Sequence, residues 1–278
     1  MKILILQSNG VHDANKKMRE CFCLRRSFIK FGYDCDITGP GHQELNPHEY
    51  DVILNIENYG DSWIPDISSV SALKIIWEID AHCRGMEYFD HLFKRDNYKI
   101  MLHSTKEYVK TSRDLWFPNA YDDTLVGVRN IPKTTFVGFC GNPGTAERQS
   151  YIKHISDKWN AKIDIFVIGD AMVNAINSYD VHFNKNIGID INYRNFETIG
   201  CGTVLITNFN PVYLELGFEN FKNCVFYDSV PSLDSSLRLL AKNETLRTNI
   251  SNNGLELAKR HTYDERVKYL ISVIKENI

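Results

Sequence analysis

The chain has 278 residues, of which 43% are hydrophobic and 24% charged, and its formal net charge is −3. This composition is ordinary for a folded protein, so it excludes a disordered chain, a collagen-like repeat and a small disulfide scaffold. The slightly acidic total also disfavours a strongly basic nucleic-acid binder.

Apolar segments of strand length alternate with longer amphipathic segments from end to end. Strands are predicted at 2–7, 33–37, 50–57, 73–79, 98–103, 134–140, 162–168, 180–184, 203–207 and 224–227. Helices are predicted at 14–31, after Ser104, and at 146–158, 170–178, 192–200, most of 231–260, and 264–277. Strands rich in Val, Ile and Leu that are joined by helices indicate parallel sheets covered on both faces.

The stretch 116–132 has no clear period and contains Pro118, Gly127 and Pro132. We therefore place a boundary near residue 130, between two doubly wound, Rossmann-like α/β domains, 1–130 and 131–278. The final helix can pack back on the first domain. Ligands of such sheets bind beyond the carboxyl ends of the strands, so the cleft between two such domains is the expected site.

No apolar run approaches the roughly 18 residues needed to span a bilayer, and the first ten residues become polar too soon for a signal peptide. The seven cysteines form no Cys-x-x-Cys pair, which favours reduced thiols. Both observations predict a cytoplasmic protein, in the host cytoplasm if a phage encodes it.

The segment 186–207 carries the most informative polar pattern. Asn192 can cap a helix on which Arg194 and Glu197 are neighbours. Arg194 suits bidentate binding of a phosphate, the amides at the helix start favour an anion, and Glu197 can accept the two hydroxyls of a ribose. The alternative interpretation is that Arg194 and Glu197 form only a surface ion pair.

The pattern Asn192-x-Arg-x-Phe-Glu-x-x-x-Cys-Gly-x-x-Leu-Ile-Thr207 resembles the donor-binding segment of GT-B glycosyltransferases. Among these enzymes, the pattern is similar to that of a spore-maturation-like group of the family 1-like glycosyltransferases. This group is distantly related to glycogen-synthase-like enzymes. The resemblance covers about 134–265. It implies a GT-B fold and hexosyl or pentosyl transfer from a nucleotide sugar, expected to be UDP-linked, without a metal or other cofactor.

The resemblance also implies roles for individual residues. Glu197 corresponds to the glutamate that holds the ribose, and Arg194 with the amides around Thr198 to the diphosphate contacts. Larger relatives have a further acidic residue eight positions before that glutamate. This chain has Ile189 there, with Asp190 one step away, and the departure argues against a retaining mechanism.

Two further loops contribute donor candidates. Gly141 and Asn142 follow the first strand of the second domain, where glycine permits close approach of a phosphate or sugar. Arg148 resembles the basic residue that relatives place against the diphosphate. Gly169 ends the next strand and can line the nucleotide pocket. The alternative is a strand–turn–helix connection that needs glycine only for its geometry.

The first domain is expected to bind the acceptor through three loops at strand ends. The predicted acceptor-binding residues are Gly10, His12, Asp13, Asn58 and Tyr59. Asp80 and His82 share the third loop and are the predicted catalytic pair, because a carboxylate or imidazole there could deprotonate a hydroxyl. Each of these residues could instead serve as a cap or turn residue.

Two other functional patterns are disfavoured. Asp34-Cys-Asp36 matches the Asp-x-Asp pattern of metal-dependent transferases, yet it reads as part of a strand, so no metal site is predicted. The first strand is not followed by Gly-x-Gly-x-x-Gly, which disfavours a dinucleotide oxidoreductase.

The distribution of charge along the chain is compatible with several classes of acceptor. Basic residues concentrate in two stretches of the first domain: Lys16, Lys17, Arg19, Arg25, Arg26 and Lys30, and Lys94, Arg95, Lys99, Lys106, Lys110 and Arg113. A glycan, a lipid or a protein hydroxyl is the conventional acceptor. The compact size and the Asn/Lys/Ile-rich composition also suit a phage enzyme that glycosylates hydroxymethylated pyrimidines in DNA. From another class, Ile189 motivates a non-catalytic nucleotide-sugar-binding protein.

Overall fold

The computed structural model describes residues 1–10, 12–57 and 62–278. The chain divides into two compact units, one formed by Met1–Asn119 with Tyr263–Ile278 and the other by Ala120–Thr262. Each unit contains a parallel sheet with helices, as the α/β pattern predicted. Within the described ranges, no helix combines the length and apolar character needed to cross a bilayer.

The first unit contains a six-stranded sheet with the order β2-β1-β3-β4-β5-β6. Its strands are β1 (Lys2–Leu6), β2 (Asp34–Thr38), β3 (Val52–Ile56), β4 (Leu73–Glu78), β5 (Ile100–His103) and β6 (Asp114–Trp116). Its helices before the second unit are α1 (Asp13–Lys16), α2 (Glu20–Lys30), α3 (Ala81–Arg84) and α4 (Met86–Arg95), with 3₁₀ turns at Pro47–Glu49 and Lys106–Tyr108. Leu4, Ile53, Ile76 and Met101 of four strands pack with Phe89 in one core.

The second unit contains a five-stranded sheet with the order β11-β10-β9-β7-β8. Its strands are β7 (Thr135–Gly141), β8 (Lys162–Ile165), β9 (Tyr179–Phe183), β10 (Val204–Asn208) and β11 (Val225–Tyr227). Its helices are α5 (Ala146–Trp159), α6 (Gly169–Asn177), α7 (Tyr193–Gly200), α8 (Val212–Glu215), α9 (Val230–Lys242) and α10 (Glu244–Ala258). Because all these strands are parallel, their carboxyl ends form one edge of the sheet, which gathers the loops that follow them.

Helix α11 (Tyr263–Asn277) belongs to the first unit although it is last in the chain. Ser27 donates to Asp264 at 2.6 Å, and Lys30 pairs with the same carboxylate. At the other side of the helix, Arg266 donates to the carbonyl oxygens of Pro118 (2.8 Å) and Asn119 (3.1 Å). These bonds attach α11 both to α2 and to Pro118 and Asn119, where the first part of this unit ends.

Two sequence expectations differ from the structure in the first unit. The helix predicted after Ser104 is wrong: only a 3₁₀ turn forms. The carboxylate of Asp114 accepts from the amides of Lys110 (3.1 Å) and Thr111 (2.8 Å), which turns the chain directly into β6. The helix predicted at 14–31 is interrupted between α1 and α2.

The division between the units also falls earlier in the chain than the predicted residue 130. The segment after Asn119 is bonded to the second unit: the amide of Tyr121 donates to the carbonyl of His261 at 3.2 Å, and that of Arg129 to the Asn177 side chain at 2.8 Å. Residues 120–132 of the aperiodic stretch therefore belong to the second unit, and residues 116–119 belong to the first.

Candidate active site

Helix α7 begins as the sequence predicted. The Asn192 side chain accepts a hydrogen bond from the amide of Arg194 at 3.1 Å, which caps the helix. One turn along, Arg194 Nη1 lies 2.6 Å from Glu197 Oε2, and the two side chains are 19% and 15% exposed. Arg194 also contacts the sulfur of Met172 on α6. A partly buried guanidinium and carboxylate thus stand together at a capped helix start, an arrangement suited to an anion and a diol.

Thr198 has a different role from the predicted diphosphate contact. Only the first turn of a helix has amides without intrahelical partners, and Thr198 lies beyond it. Its side chain is fully buried, and its hydroxyl donates to the carbonyl of Arg194 at 2.5 Å. Thr198 therefore acts inside the fold, behind the residues that face the site.

A buried histidine that the sequence analysis missed links Thr198 to the central strands. His182 of β9 accepts a hydrogen bond at Nε2 from the amide of Cys140 (3.1 Å), so its Nδ1 carries the proton and donates to the Thr198 hydroxyl (2.6 Å). Complete burial, together with the charge of Arg194, holds the pKa of His182 well below its usual value. The neutral imidazole is thereby a fixed connection between β7, β9 and α7.

The loop after β7 is closed by Arg148. Its Nε donates to the carbonyl of Lys185 at 2.6 Å and its Nη1 to the carbonyl of Asn142 at 3.0 Å. Asn142 in turn accepts from the amide of Gly144 at 2.9 Å. Arg148 is only 7% exposed, and burial lowers the pKa of its guanidinium. The predicted donor residues Gly141, Asn142 and Arg148 are thus brought together at the carboxyl end of β7.

Lys185 is a second residue that the sequence analysis missed. It follows β9, its ammonium lies 3.0 Å from the Glu147 carboxylate, and it stands over the ring of Tyr151. Because Arg148 donates to the carbonyl of Lys185, a basic residue after β7 is bonded to the backbone of a basic residue after β9.

Asparagine side chains form a buried network under this edge. Asn184 donates to Asn186 (3.1 Å) and Asn195 (3.0 Å), and the Tyr213 hydroxyl donates to Asn195 at 2.7 Å. The amide of Asn186 donates to the side chain of Asn208 of β10 at 2.7 Å. Four asparagines within 184–195 were the available sequence signal. Their network fixes the loop that leads into α7.

Ile189 and Asp190, the two residues considered for the acidic position of the larger relatives, differ in burial. Ile189 is 40% exposed, whereas Asp190 is 6% exposed, and the charge of Asp190 acts on the guanidinium of Arg148. The carboxylate inside this part of the fold is therefore Asp190.

Gly169 is the first residue of α6 and is buried with a φ of +62°, a conformation that favours glycine. The neighbouring Asp170 is exposed, and its carboxylate pairs with Arg129 at 2.6 Å.

In the first unit, the loop that carries the predicted catalytic pair is bonded to a carboxylate that the sequence did not single out. Glu57, directly after β3, accepts from the amides of Ile79 (2.7 Å) and Asp80 (2.6 Å), and Arg84 Nε lies 3.0 Å from its other oxygen. Burial raises the pKa of Glu57 to about 7. Asp80 precedes α3 and His82 lies within it, so Glu57 sets the position of the loop that carries both.

The predicted acceptor residues are placed by the structure only in part. Asp13 lies in α1, where its carboxylate pairs with Lys16 at 2.5 Å, and His12 is exposed. Gly10 packs closely on Arg19: a Cβ there would lie 2.8 Å from the arginine Cδ. Asn58 and Tyr59 lie outside the described residues.

Two units, each with a parallel sheet and covering helices, define the architecture of a GT-B sugar transferase. Comparison with known families agrees: a family model described as glycosyl transferase-like matches residues 130–272. The chain belongs to this glycosyl transferase-like family. No curated protein matches it in sequence.

Solved structures resemble the whole chain. HepE from Anabaena, in complex with UDP and glucose, has a TM-score of 0.69 at 12% identity, with 100% of both chains covered. Sucrose-phosphate synthase from Thermosynechococcus elongatus has a TM-score of 0.66 at 9% identity, with 99% of both covered. An alpha-glucosyltransferase in complex with UDP and a 13-mer DNA has a TM-score of 0.66 at 12% identity and covers 99% of this chain and 100% of that one. These likenesses establish the GT-B fold.

Proposed function

We propose that this glycosyltransferase moves a sugar from a nucleoside diphosphate sugar, UDP-linked, to an acceptor hydroxyl. The observation that carries the proposal is the Arg194–Glu197 pair at the capped start of α7. Glu197 would accept hydrogen bonds from the ribose hydroxyls, and Arg194 would bind the diphosphate. HepE, which shares the fold, was solved with UDP-glucose, which supports the choice of uridine.

In the proposed reaction the acceptor oxygen bonds to the anomeric carbon while the bond from that carbon to the diphosphate breaks. The diphosphate leaves with both electrons of that bond. Cations and amides that are already fixed stabilise the growing negative charge without reorganising, which is the main electrostatic contribution to catalysis. Arg194 is tied to Glu197, and Arg148 is tied to two carbonyls, so both are held in advance of substrate.

Asp80 and His82 remain the proposed source of the base that takes the acceptor proton. Their loop is held by Glu57, whose carboxylate accepts from two successive amides. A base-assisted direct attack inverts the anomeric configuration, so we expect an inverted product and a strong loss of turnover in Asp80→Asn or His82→Gln.

The test is turnover with UDP-, GDP- and dTDP-sugars, followed as release of the nucleoside diphosphate. We expect UDP-sugar to be cleaved, slowly by water and faster with acceptor, and Arg194→Met to reduce the rate at least tenfold, since a charge-assisted contact contributes roughly 1.5–3 kcal/mol. Binding of UDP-sugar without any turnover would instead identify a non-catalytic nucleotide-sugar-binding protein.

Modified DNA is the second candidate acceptor, favoured by the basic stretches of the first unit and by the fold shared with a transferase solved with DNA. Several of these cations are engaged elsewhere: Arg25 donates to the carbonyl of Cys35, Arg26 to that of Lys17, and Lys30 pairs with Asp264. Gel shifts on duplex DNA over a range of salt concentrations decide the question. Binding that weakens steeply with salt supports this acceptor, and absent binding contradicts it.

A further inference from the structure

Three ionisable side chains form a row across neighbouring strands of the first sheet. Glu78 ends β4, His103 ends β5 and Asp114 begins β6. His103 Nδ1 lies 2.9 Å from Glu78 Oε1, and its Nε2 lies 3.4 Å from Asp114 Oδ1. Glu78 and His103 are fully buried, and Asp114 is 7% exposed. Both nitrogens of a buried imidazole therefore face carboxylate oxygens.

The imidazole of His103 fixes the carboxylate of Glu78. Because a carboxylate oxygen accepts hydrogen bonds, Nδ1 of the ring carries a proton and donates to Glu78. Asp114 lies at the far side of the ring, and its other oxygen is anchored by the amide of Thr111 at 2.8 Å. A carboxylate buried without a donor would destabilise the fold. His103 thus holds one oxygen of Glu78 and leaves the second oxygen for another partner.

The second oxygen of Glu78 holds the loop of the predicted catalytic pair. Glu78 Oε2 accepts from the amide of Ala81 at 3.1 Å, and Ala81 is the residue between Asp80 and His82. Asp80 occupies the N-cap position of α3, yet its own side chain makes no capping bond there. The carboxylate that fixes the start of α3 is therefore that of Glu78 and not that of Asp80.

The same loop is held at further points. Ser104, directly after β5, donates from its amide to the carbonyl of Glu78 at 3.1 Å and from its hydroxyl to the carbonyl of Ile79 at 2.7 Å. The amides of Ile79 and Asp80 donate to Glu57. Three successive amides thus donate to two buried carboxylates, and such charge-assisted bonds are roughly twice as strong as neutral ones. The orientation of the loop is therefore set by side chains outside it.

We propose that Glu78 and His103 are positioning residues for the base of the transfer reaction, an inference that rests on the proposed function. His103 aims the carboxylate of Glu78, and Glu78 fixes the start of α3, where the proposed base is Asp80 or His82. A base must lie within hydrogen-bond reach of the acceptor hydroxyl, and a misplacement of about 1 Å can reduce the rate about 10²-fold. Glu78 and His103 thus act on the rate of transfer and not on donor binding, which is proposed for the second unit.

Substitutions of different severity separate positioning from packing. His103→Leu and Glu78→Ala each break the connection to the loop. His103→Gln can keep it, because the glutamine amide can donate to Glu78. Tyr98→Phe is the matched control, since it removes a buried hydroxyl of the same unit that accepts from Asn55 at 2.8 Å.

The first measurement is steady-state release of UDP from the UDP-sugar that wild type cleaves fastest, together with calorimetric titration of UDP. We expect His103→Leu and Glu78→Ala to lower kcat roughly 10- to 100-fold, while the donor KM and the UDP affinity stay within about twofold of wild type. His103→Gln and Tyr98→Phe should keep kcat within about threefold. In an Asp80→Asn, His82→Gln background, His103→Leu should cost less than about threefold, because no base remains to be positioned.

Amide hydrogen exchange in the full chain tests the connection itself and does not depend on turnover. Glu78→Ala and His103→Leu should speed exchange of the Ala81 amide, while the amides of Ile79 and Asp80, which are bonded to Glu57, stay protected. Equal loss of protection at all three amides would show general unfolding of the loop and overturn the specific role of Glu78.

Wild-type kcat in His103→Leu and Glu78→Ala would overturn the positioning role and leave the proposed function standing. An equal loss in Tyr98→Phe or His103→Gln, a matching loss of UDP affinity, or the full cost of His103→Leu in the background without Asp80 and His82 would do the same. If the wild-type protein turns over no nucleotide sugar, the proposed function fails and this inference fails with it.

Discussion

Replacing His182 with glutamine can keep the hydrogen bonds of this residue while removing its ability to take up a proton. Glutamine offers a carbonyl oxygen to the amide of Cys140 and an amide to the Thr198 hydroxyl, so His182→Gln can keep both bonds of the buried connection. The glutamine side chain takes up no proton between pH 5.0 and pH 7.5. The two proteins should therefore have similar free energies of unfolding at pH 7.5, within about 1 kcal/mol, the contribution of one hydrogen bond.

The difference should grow as the solution is acidified. Burial lowers the pKa of His182 in the folded state well below 6.5, its value in the unfolded chain. Below pH 6.5 the unfolded chain thus binds a proton that the folded chain does not, and acidification favours unfolding. The contribution is fully present above pH 6.5 and is lost as the pH falls toward the folded-state pKa. At pH 5 the loss is RT ln(1 + 10^1.5), about 2 kcal/mol.

Urea unfolding at pH 7.5, 6.5, 5.5 and 5.0 measures this quantity, and subtracting the values for His182→Gln removes the contributions of other groups. Wild type should lose about 2 kcal/mol relative to the variant between pH 7.5 and 5.0. A difference that stays constant with pH would refute the buried, neutral imidazole. At pH 7.5, His182→Leu should cost about 1–3 kcal/mol, because the buried amide of Cys140 loses its partner.

Two further substitutions test the burial of Glu57 and the packing of Gly138 against Tyr179. Burial raises the pKa of Glu57 from 4.5 to about 7, so its contribution to stability is present below pH 4.5 and is lost as the pH rises through 7. In urea unfolding, wild type should lose about 3 kcal/mol relative to Glu57→Gln between pH 4.5 and 8, and a pH-independent difference would contradict the burial. A Cβ at Gly138 would lie 2.4 Å from the ring of Tyr179, so Gly138→Ala should destabilise the fold by about 1–3 kcal/mol. Adding Tyr179→Leu should recover part of that loss in a double-mutant cycle, and simple additivity would show that the ring is not the obstacle.

The parallel sheets were predictable because their strands are near-continuous apolar runs with the spacing of βαβ units. Strand β6 escaped prediction because it has three residues and is set by the hydrogen bonds of Asp114 rather than by a repeating pattern. The same carboxylate prevented the predicted helix after Ser104. The hydrogen bonds of Asp114, rather than the periodicity of the sequence, therefore determine the structure of this segment.

The start of α7 was predictable because Asn192, Arg194 and Glu197 interact within one helix turn. The residues that support α7 and the loop of Asp80 and His82 were not predictable, because their partners are distant in sequence. His182 is 42 positions from Cys140, and Glu57 is 22 positions from Ile79. Only the three-dimensional arrangement of parallel strands brings these groups together.

Calorimetric titration of UDP-sugar into wild type and Glu197→Ala tests whether Glu197 and Arg194 hold a nucleoside diphosphate sugar. Glu256→Ala is the matched control, since Glu256 and Lys259 form an ion pair with the same spacing near the end of α10. Glu197→Ala should weaken binding at least tenfold, because hydrogen bonds to a charged group contribute roughly 1.5–3 kcal/mol, and Glu256→Ala should leave it unchanged. Unchanged affinity in Glu197→Ala would contradict the assignment of the donor site.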